Sequence, residues 1–189
     1  GIALSRQLLI QLVELDLPLA TEVLNPMLTG YFDDLYAWGA IGARTSESQI
    51  HREIASHVPY ALGFKNGTDG NVNIALDAIQ SASQPHQFLG MAENGQPAVL
   101  MSQGNDSLQI ILRGSNHGTN YDRNSIHVIQ QSCEKRGMKP AIIADCSHGN
   151  SQKNPDLQQQ VLETIAMELP QTNVKGVMIE SHLIHGKQD

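Results

Sequence analysis

The sequence predicts an α/β fold: a (β/α)8 TIM barrel, carried as about six of its eight strands, with an inserted β-hairpin. Three observations predict it. Short apolar runs alternate with helix-length amphipathic segments, the pattern of a parallel sheet covered by helices. Five successive runs deliver a charged or coordinating side chain at or near their C-terminal ends: Arg44, Lys65, Arg113, then Asp145-Cys146-Ser147-His148, then Glu180-Ser181-His182. In a parallel barrel all those ends open on one mouth, where the chemistry sits. A doubly wound sheet, the competing architecture, would gather its ligands at a single switch point.

The elements follow in order. Residues 3–16 place apolar side chains at helical spacing and read as an amphipathic helix. Ala20–Leu24 is a short strand and Tyr31–Trp38 a short helix. Ala40–Arg44 is a strand, after which Ser46 and Gln49 form a capping box for the next helix. Tyr60–Lys65 is a strand; Asn66-Gly67 turns the chain, and Thr68 or Asp69 caps a helix to about Ser81. The alternation then breaks. Gln87–Met91 and Ala98–Gln103 flank Glu93-Asn94-Gly95-Gln96, a hairpin turning at Asn94-Gly95. Leu108–Arg113 resumes the series. Ser125–Arg136 is a helix stopped by Gly137. Ala141–Ser147 is a strand, Pro155–Leu169 a helix and Val174–Ser181 a strand. Six barrel-type strands are two short of closure. The expectation is a partial chain holding the third to eighth strands and lacking the first two strands and the last helix. It forms a single partial barrel domain over 1–189 with an inserted hairpin subdomain at 84–106.

Composition narrows the function. The chain has 189 residues, enough for one domain with a real core, and a net charge of −7. That charge repels nucleic acid and anionic membranes, so neither is expected as a partner. Only 12 residues are Lys or Arg, which makes three of them after apolar runs a notable placement. Two cysteines give no disulfide framework, and a reducing cytoplasm is the expected location.

Arg44, Lys65 and Arg113 are read as an anion site. A guanidinium binds phosphate or carboxylate through a planar fork and keeps its charge. Lys65 is a compact charge that can also give a proton to a reacting carbonyl. A Schiff-base role for Lys65 is the rival. His148 with Glu180 offers an imidazole and a carboxylate, a pair that suits manganese, iron or zinc. Asp145 is a candidate for orienting a ligand. His182 lies two residues from Glu180, on the same strand face. Cys146 reads as core, and the other histidines as surface or structural.

These motifs resemble a known family. Gly39-Ala40-Ile41-Gly42-Ala43-Arg44-Thr45-Ser46-Glu47-Ser48-Gln49, Gly63-Phe64-Lys65-Asn66-Gly67-Thr68-Asp69-Gly70, Ile111-Leu112-Arg113-Gly114, Asp145-Cys146-Ser147-His148-Gly149-Asn150-Ser151 and Glu180-Ser181-His182 are similar to those of the type I, feedback-regulated 3-deoxy-D-arabino-heptulosonate 7-phosphate (DAHP) synthases. The resemblance runs in order from Ala20 to the last residue. It implies a barrel that condenses phosphoenolpyruvate with D-erythrose 4-phosphate, releasing phosphate, as the first step of the shikimate pathway to aromatic amino acids. It implies a divalent metal (manganese, iron or zinc) and inhibition by an aromatic amino acid. By that resemblance Arg44, Lys65 and Arg113 hold phosphoenolpyruvate, His148 and Glu180 bind metal, and Glu22 lies near the same pocket. Lys65 and His148 are the catalytic candidates. Ser83-Gln84-Pro85-His86 and Asp145-Cys146-Ser147-His148 lean towards the tyrosine-sensitive branch, and a homo-oligomer is expected.

There are departures. The family's metal cysteine, its last metal carboxylate and its acceptor-binding motif have no counterpart here, and Ser115-Asn116-His117-Gly118-Thr119 replaces a Gly-Lys-rich loop. Metal binding by this chain is therefore expected to be weak and the chain alone inactive. A non-catalytic anion-binding remnant and a related synthase using arabinose 5-phosphate are the alternatives.

Overall fold

A computed structural model describes residues 1–92 and 94–186. Glu93 of the expected turn and the last three residues lie outside them. Eight strands and six helices follow in order: α1 Ile2–Glu14, β1 Ala20–Glu22, α2 Thr29–Phe32, β2 Trp38–Ile41, α3 Gln49–Ala55, β3 Ala61–Lys65, α4 Asn73–Ala82, β4 Gln87–Met91, β5 Pro97–Met101, β6 Leu108–Leu112, α5 Arg123–Lys135, β7 Ala141–Asp145, α6 Gln158–Glu168 and β8 Val174–Met178. Six strands form one parallel sheet in the order β1-β2-β3-β6-β7-β8. This is the partial (β/α)8 barrel expected. Strands β4 and β5 pair only with each other, antiparallel, as the hairpin between α4 and β6.

Period-two alternation gives the sheet two different faces. Leu62, Phe64, Ile110, Leu112, Ile142, Ala144 and Cys146 point outward into one buried cluster. There they meet Leu76 and Ile79 of α4, Ile126 and Ile129 of α5, and Val161 and Ile165 of α6. Each such aliphatic or aromatic side chain contributes about 2 kcal/mol on burial. The opposite face is a trough lined by Trp38, Gln109, Ile143, Val177 and Met178, with a cavity of about 260 Å³. Trp38 Nε1 donates to Gln109 Oε1 at 2.8 Å across this floor. Gly63 makes room in it: a Cβ there would lie 2.6 Å from Ile111 Cδ1 and force that side chain to shift.

Several boundaries differ from the sequence reading. Asn25 caps a 3-10 turn at Pro26–Leu28, and helical structure runs on in short pieces to Leu35, so the helix expected over Tyr31–Trp38 starts and ends early. Trp38 opens β2 instead. The N-cap of α3 is Ser48, not Ser46. Ser46 Oγ bonds the carbonyls of Gly42 and Lys65, tying two strand ends together. Helix α4 begins at Asn73 with no side-chain cap, because Asp69 spends its carboxylate on the turn, accepting from the Asn71 N–H. Helix α1 buries none of its residues, and on the hairpin Leu89, Val99 and Met101 are exposed.

Candidate functional site

The trough face carries the site, and strand parity puts it there. Lys65 is two residues beyond Gly63, Arg113 two beyond Ile111, and Asp145 two beyond Ile143, so all three share the trough face at the C-terminal end of the sheet. Lys65 and Arg113 are each 5% exposed and Asp145 is fully buried. Such charges are costly to bury unless they are paired or await a partner.

Lys65 Nζ lies 3.2 Å from Asp145 Oδ2. Arg113 sits on the strand between them and has no such partner: among the described residues, neither Arg113 nor Arg44 enters an ion pair. Burial pushes the Arg113 guanidinium down from its ordinary range and the Arg44 charge adds to that, against the pull of Asp145 and Glu180. Arg44 is exposed in the turn after β2, yet its charge reaches Arg113. Two cations in mutual repulsion, one of them buried, form a site that an anion would relieve. Glu22, the last residue of β1, lies exposed with its carboxylate against Gly42, two residues before Arg44.

The turn after β7 holds the second half. His148 takes a left-handed backbone, φ +53°, uncommon for a residue with a Cβ. That turn folds its ring back over Asp145: Nδ1 is 2.9 Å from Asp145 Oδ2 and 2.7 Å from Ser147 Oγ. Ser147 donates its hydroxyl to Asp145 Oδ1 at 2.6 Å. Burial pushes the Asp145 carboxyl up, but the His148 hydrogen bond, the Lys65 charge and Ser147 more than reverse this, holding it well below the usual carboxylate range.

His148 Nε2 faces outward, 3.5 Å from Glu180 Oε1. Two ligand atoms about 2.1 Å from one ion in tetrahedral disposition stand about 3.4 Å apart, so this spacing fits a shared cation. Glu180 is aimed by its backbone, whose N–H donates to Gln158 Oε1 at 2.9 Å and whose carbonyl accepts from Gln158 Nε2 at 2.7 Å. Among the described residues no group of three or more His, Cys, Asp or Glu side chains is arranged to hold a metal. His182 is exposed. Cys146 points into the core, where burial pushes its thiol up to about 11, so it makes a poor ligand.

Three asparagines and a glutamine do work the sequence reading did not assign. Asn66 Oδ1 accepts from the Arg113 N–H at 2.9 Å and from Asn120 Nδ2 at 3.1 Å. Asn120 Oδ1 accepts from the Gly114 N–H, and Asn150 Oδ1 from the Asn120 N–H. Asn150 Nδ2 donates to the carbonyls of Leu112 and Asp145. The turns after β3, β6 and β7 are thus stitched into one rim, with Gln158 extending it to the segment after β8. Only Asn66 follows its strand directly; Asn120 and Asn150 lie eight and five residues beyond the ends of β6 and β7, so nothing local marked them.

The model of the DAHP synthetase I family matches residues 6–189. A tyrosine-inhibited phospho-2-dehydro-3-deoxyheptonate aldolase of Schizosaccharomyces pombe is 44% identical over 191 aligned positions, covering 100% of this chain and 51% of that protein. The Tyr-sensitive enzyme of that name from Escherichia coli is also 44% identical, with 100% and 53% covered. A solved structure of the aldolase from Francisella tularensis superimposes with a TM-score of 0.95 at 43% identity, covering 100% of this chain and 56% of that one. The chain spans about half the length of the curated relatives it matches.

Proposed function

This chain belongs to the DAHP synthetase I family, and on that premise we propose that it carries the phosphoenolpyruvate and part of the metal site of a DAHP synthase. The whole protein then condenses phosphoenolpyruvate with D-erythrose 4-phosphate, releasing phosphate, at the head of aromatic amino acid synthesis. The observation that carries this reading is Arg113: a buried cation, free of any ion pair among the described residues, beside the Arg44 charge and the Lys65–Asp145 pair. Phosphoenolpyruvate, with a carboxylate and a phosphate, matches such a cluster.

The chain's own groups have distinct roles. Arg113 and Arg44 clamp the anion and offset charge as it shifts during carbon–carbon bond formation. Lys65, paired with Asp145, faces the same anion and can pass a proton to the reacting centre. Glu22 borders the pocket on the β1 side. His148 Nε2 and Glu180 would hold manganese, iron or zinc, with further ligands completing the set; such a metal supplies Lewis-acid polarisation of the aldehyde. The charged strand ends at the mouth of the trough keep the anion oriented.

Tyrosine is the inhibitor we assign, on the names of the relatives in Schizosaccharomyces pombe and Escherichia coli. We assign a homo-oligomer and a cytoplasmic location, with residues 1–189 as one barrel domain and 84–106 as its inserted hairpin. No helix is long and apolar enough to cross a membrane, among the described residues. A second reading, that the 189-residue chain by itself only binds anions, is favoured by the sheet, whose edge strands β1 and β8 each have one neighbour.

The test is a chimera in which this chain replaces the matching half of the Escherichia coli relative. Phosphate release from the two substrates should be retained, and should fall by two orders of magnitude or more with Arg113→Ala or Lys65→Ala. A folded chimera with no turnover, or one indifferent to both substitutions, would overturn the proposal.

A further inference from the structure

One oxygen, Asp145 Oδ2, serves both halves of the site. It lies 3.2 Å from Lys65 Nζ and 2.9 Å from His148 Nδ1. No hydrogen bond of good geometry reaches it, so it is held by the charge and closeness of these two nitrogens. We infer that Asp145 is a positioning residue that fixes His148 in the Nδ1–H tautomer, leaving Nε2 bare towards Glu180, while the same oxygen aims the Lys65 ammonium.

The tautomer follows from counting protons. Ser147 has one hydroxyl proton and gives it to Asp145 Oδ1 at 2.6 Å. Its lone pairs therefore face His148 Nδ1 at 2.7 Å, and the carboxylate lone pairs of Asp145 Oδ2 face the same atom at 2.9 Å. A bare Nδ1 would put lone pair against lone pair twice. A protonated Nδ1 instead donates to Ser147 Oγ and lies in the field of the Asp145 carboxylate. The other ring nitrogen agrees: at 3.5 Å from Glu180 Oε1, Nε2 makes no hydrogen bond there, whereas an Nε2–H opposite a carboxylate would close to about 2.8 Å. The backbone is bent to suit. His148 holds φ +53°, and Gly149 after it has no room for a Cβ against the Ser115 backbone, so the turn is fixed from both sides. A histidine whose far nitrogen is held by a carboxylate keeps its ring direction and presents a more basic lone pair to a metal.

The tautomer stands independently of the proposed reaction; only the metal consequence rests on it. The experiment uses the 189-residue chain. A long-range proton–nitrogen correlation spectrum, with His148 assigned by a His148→Gln variant, should show Nδ1 protonated and Nε2 bare in the unaltered protein. An Nε2–H pattern there overturns the inference without any further variant. Asp145→Asn should abolish the tautomer preference and weaken manganese(II) binding about 10- to 100-fold, whereas Ser147→Ala should keep the Nδ1–H tautomer. The reverse ranking would transfer the role to Ser147 and sink the proposal. Should Asp145→Asn fail to fold because Lys65 is left buried and alone, Lys65→Met with Asp145→Asn removes both charges and must show the same loss of preference. A correct tautomer with no manganese(II) binding at all would instead tell against His148 as a metal ligand and leave the positioning role standing.

Discussion

Lys65 and Asp145 pair at 3.2 Å although they belong to strands that are not neighbours. β6 runs between β3 and β7, and Arg113 follows its last residue, Leu112. The lysine, the 3.2 Å contact and the aspartate side chain together bridge two inter-strand spacings of about 4.8 Å each. The pair neutralises one buried cation and leaves the other, Arg113, without an ion pair among the described residues.

Anion binding is therefore expected from the chain as it stands. Phosphoenolpyruvate or inorganic phosphate should perturb the amide resonances of Arg44, Lys65 and Arg113 together, and Arg113→Ala should weaken the binding about 10- to 100-fold, the loss of a charged hydrogen-bonding partner. Shifts scattered over unrelated surfaces, or unaltered affinity in the variant, would count against a single site.

Metal binding should be weak. The proposed ligands, His148 and Glu180, number two where a tight site uses three or more. Calorimetric titration with manganese or zinc should show low affinity, removed by His148→Ala. Tight one-to-one binding would reveal ligands beyond these two.

The 189-residue chain alone should make no DAHP. Open strands β1 and β8 and the uncovered trough favour self-association over a closed barrel. Phosphate release with added manganese and light scattering on the purified chain check this; turnover by a monodisperse monomer would refute it.

Acid should favour one corner of the fold. Burial pushes the Asp33 carboxyl up to about 6, with Asp34 adding to it and the Tyr60 hydroxyl, 3.2 Å away, opposing it. A folded value above the unfolded one of about 3.9 means the protonated form is the one the fold prefers. That contribution is full below about pH 4 and lost as the pH rises through 6. Since Asp33 is partly exposed, its size is only about 1 kcal/mol after screening. Thermal unfolding of Asp33→Asn should show a gain at pH 8 that vanishes at pH 4; an equal effect at both would remove the argument.

The stitched rim should be sensitive. Asn66→Ala orphans the Arg113 N–H and one carbonyl contact at Gly114, and a cost of about 2–4 kcal/mol is expected from buried groups left unpaired. Denaturant unfolding measures it, and phosphate affinity should fall in parallel because Arg113 loses its seat.

Strand cores were legible because parity is a local property: Leu62, Phe64, Ile110 and Leu112 alternate with trough residues on the page. The same parity separates Asp145 from Cys146. The strand ends were overrun because Arg44, Arg113 and Ser181 leave the ladder to build turns, which apolar runs do not mark. Ser46 looked like a cap by spacing alone, and only the tertiary fold brings Lys65 O to it. Asn66, Asn120 and Asn150 were unreadable for the same reason: their partners lie up to 54 positions away. Arg44, Lys65, Arg113, His148 and Glu180 were picked out as candidates by position at strand ends and by family likeness, whereas their mutual spacing was not readable.

Parity also sets how the chain tolerates editing. Gly63 and Lys65, Ile111 and Arg113, Ile143 and Asp145 each keep a spacing of two, so the chemistry is written in odd and even. A single residue inserted within β3 would exchange the faces, turning Lys65 into the oily layer and Phe64 into the mouth. Two inserted residues would restore the faces and lengthen the reach. Length variation in relatives of this chain should therefore accumulate in the turns and the hairpin and spare the strands, and an insertion scan with a solubility readout would trace the strand boundaries as sharply as a structure does.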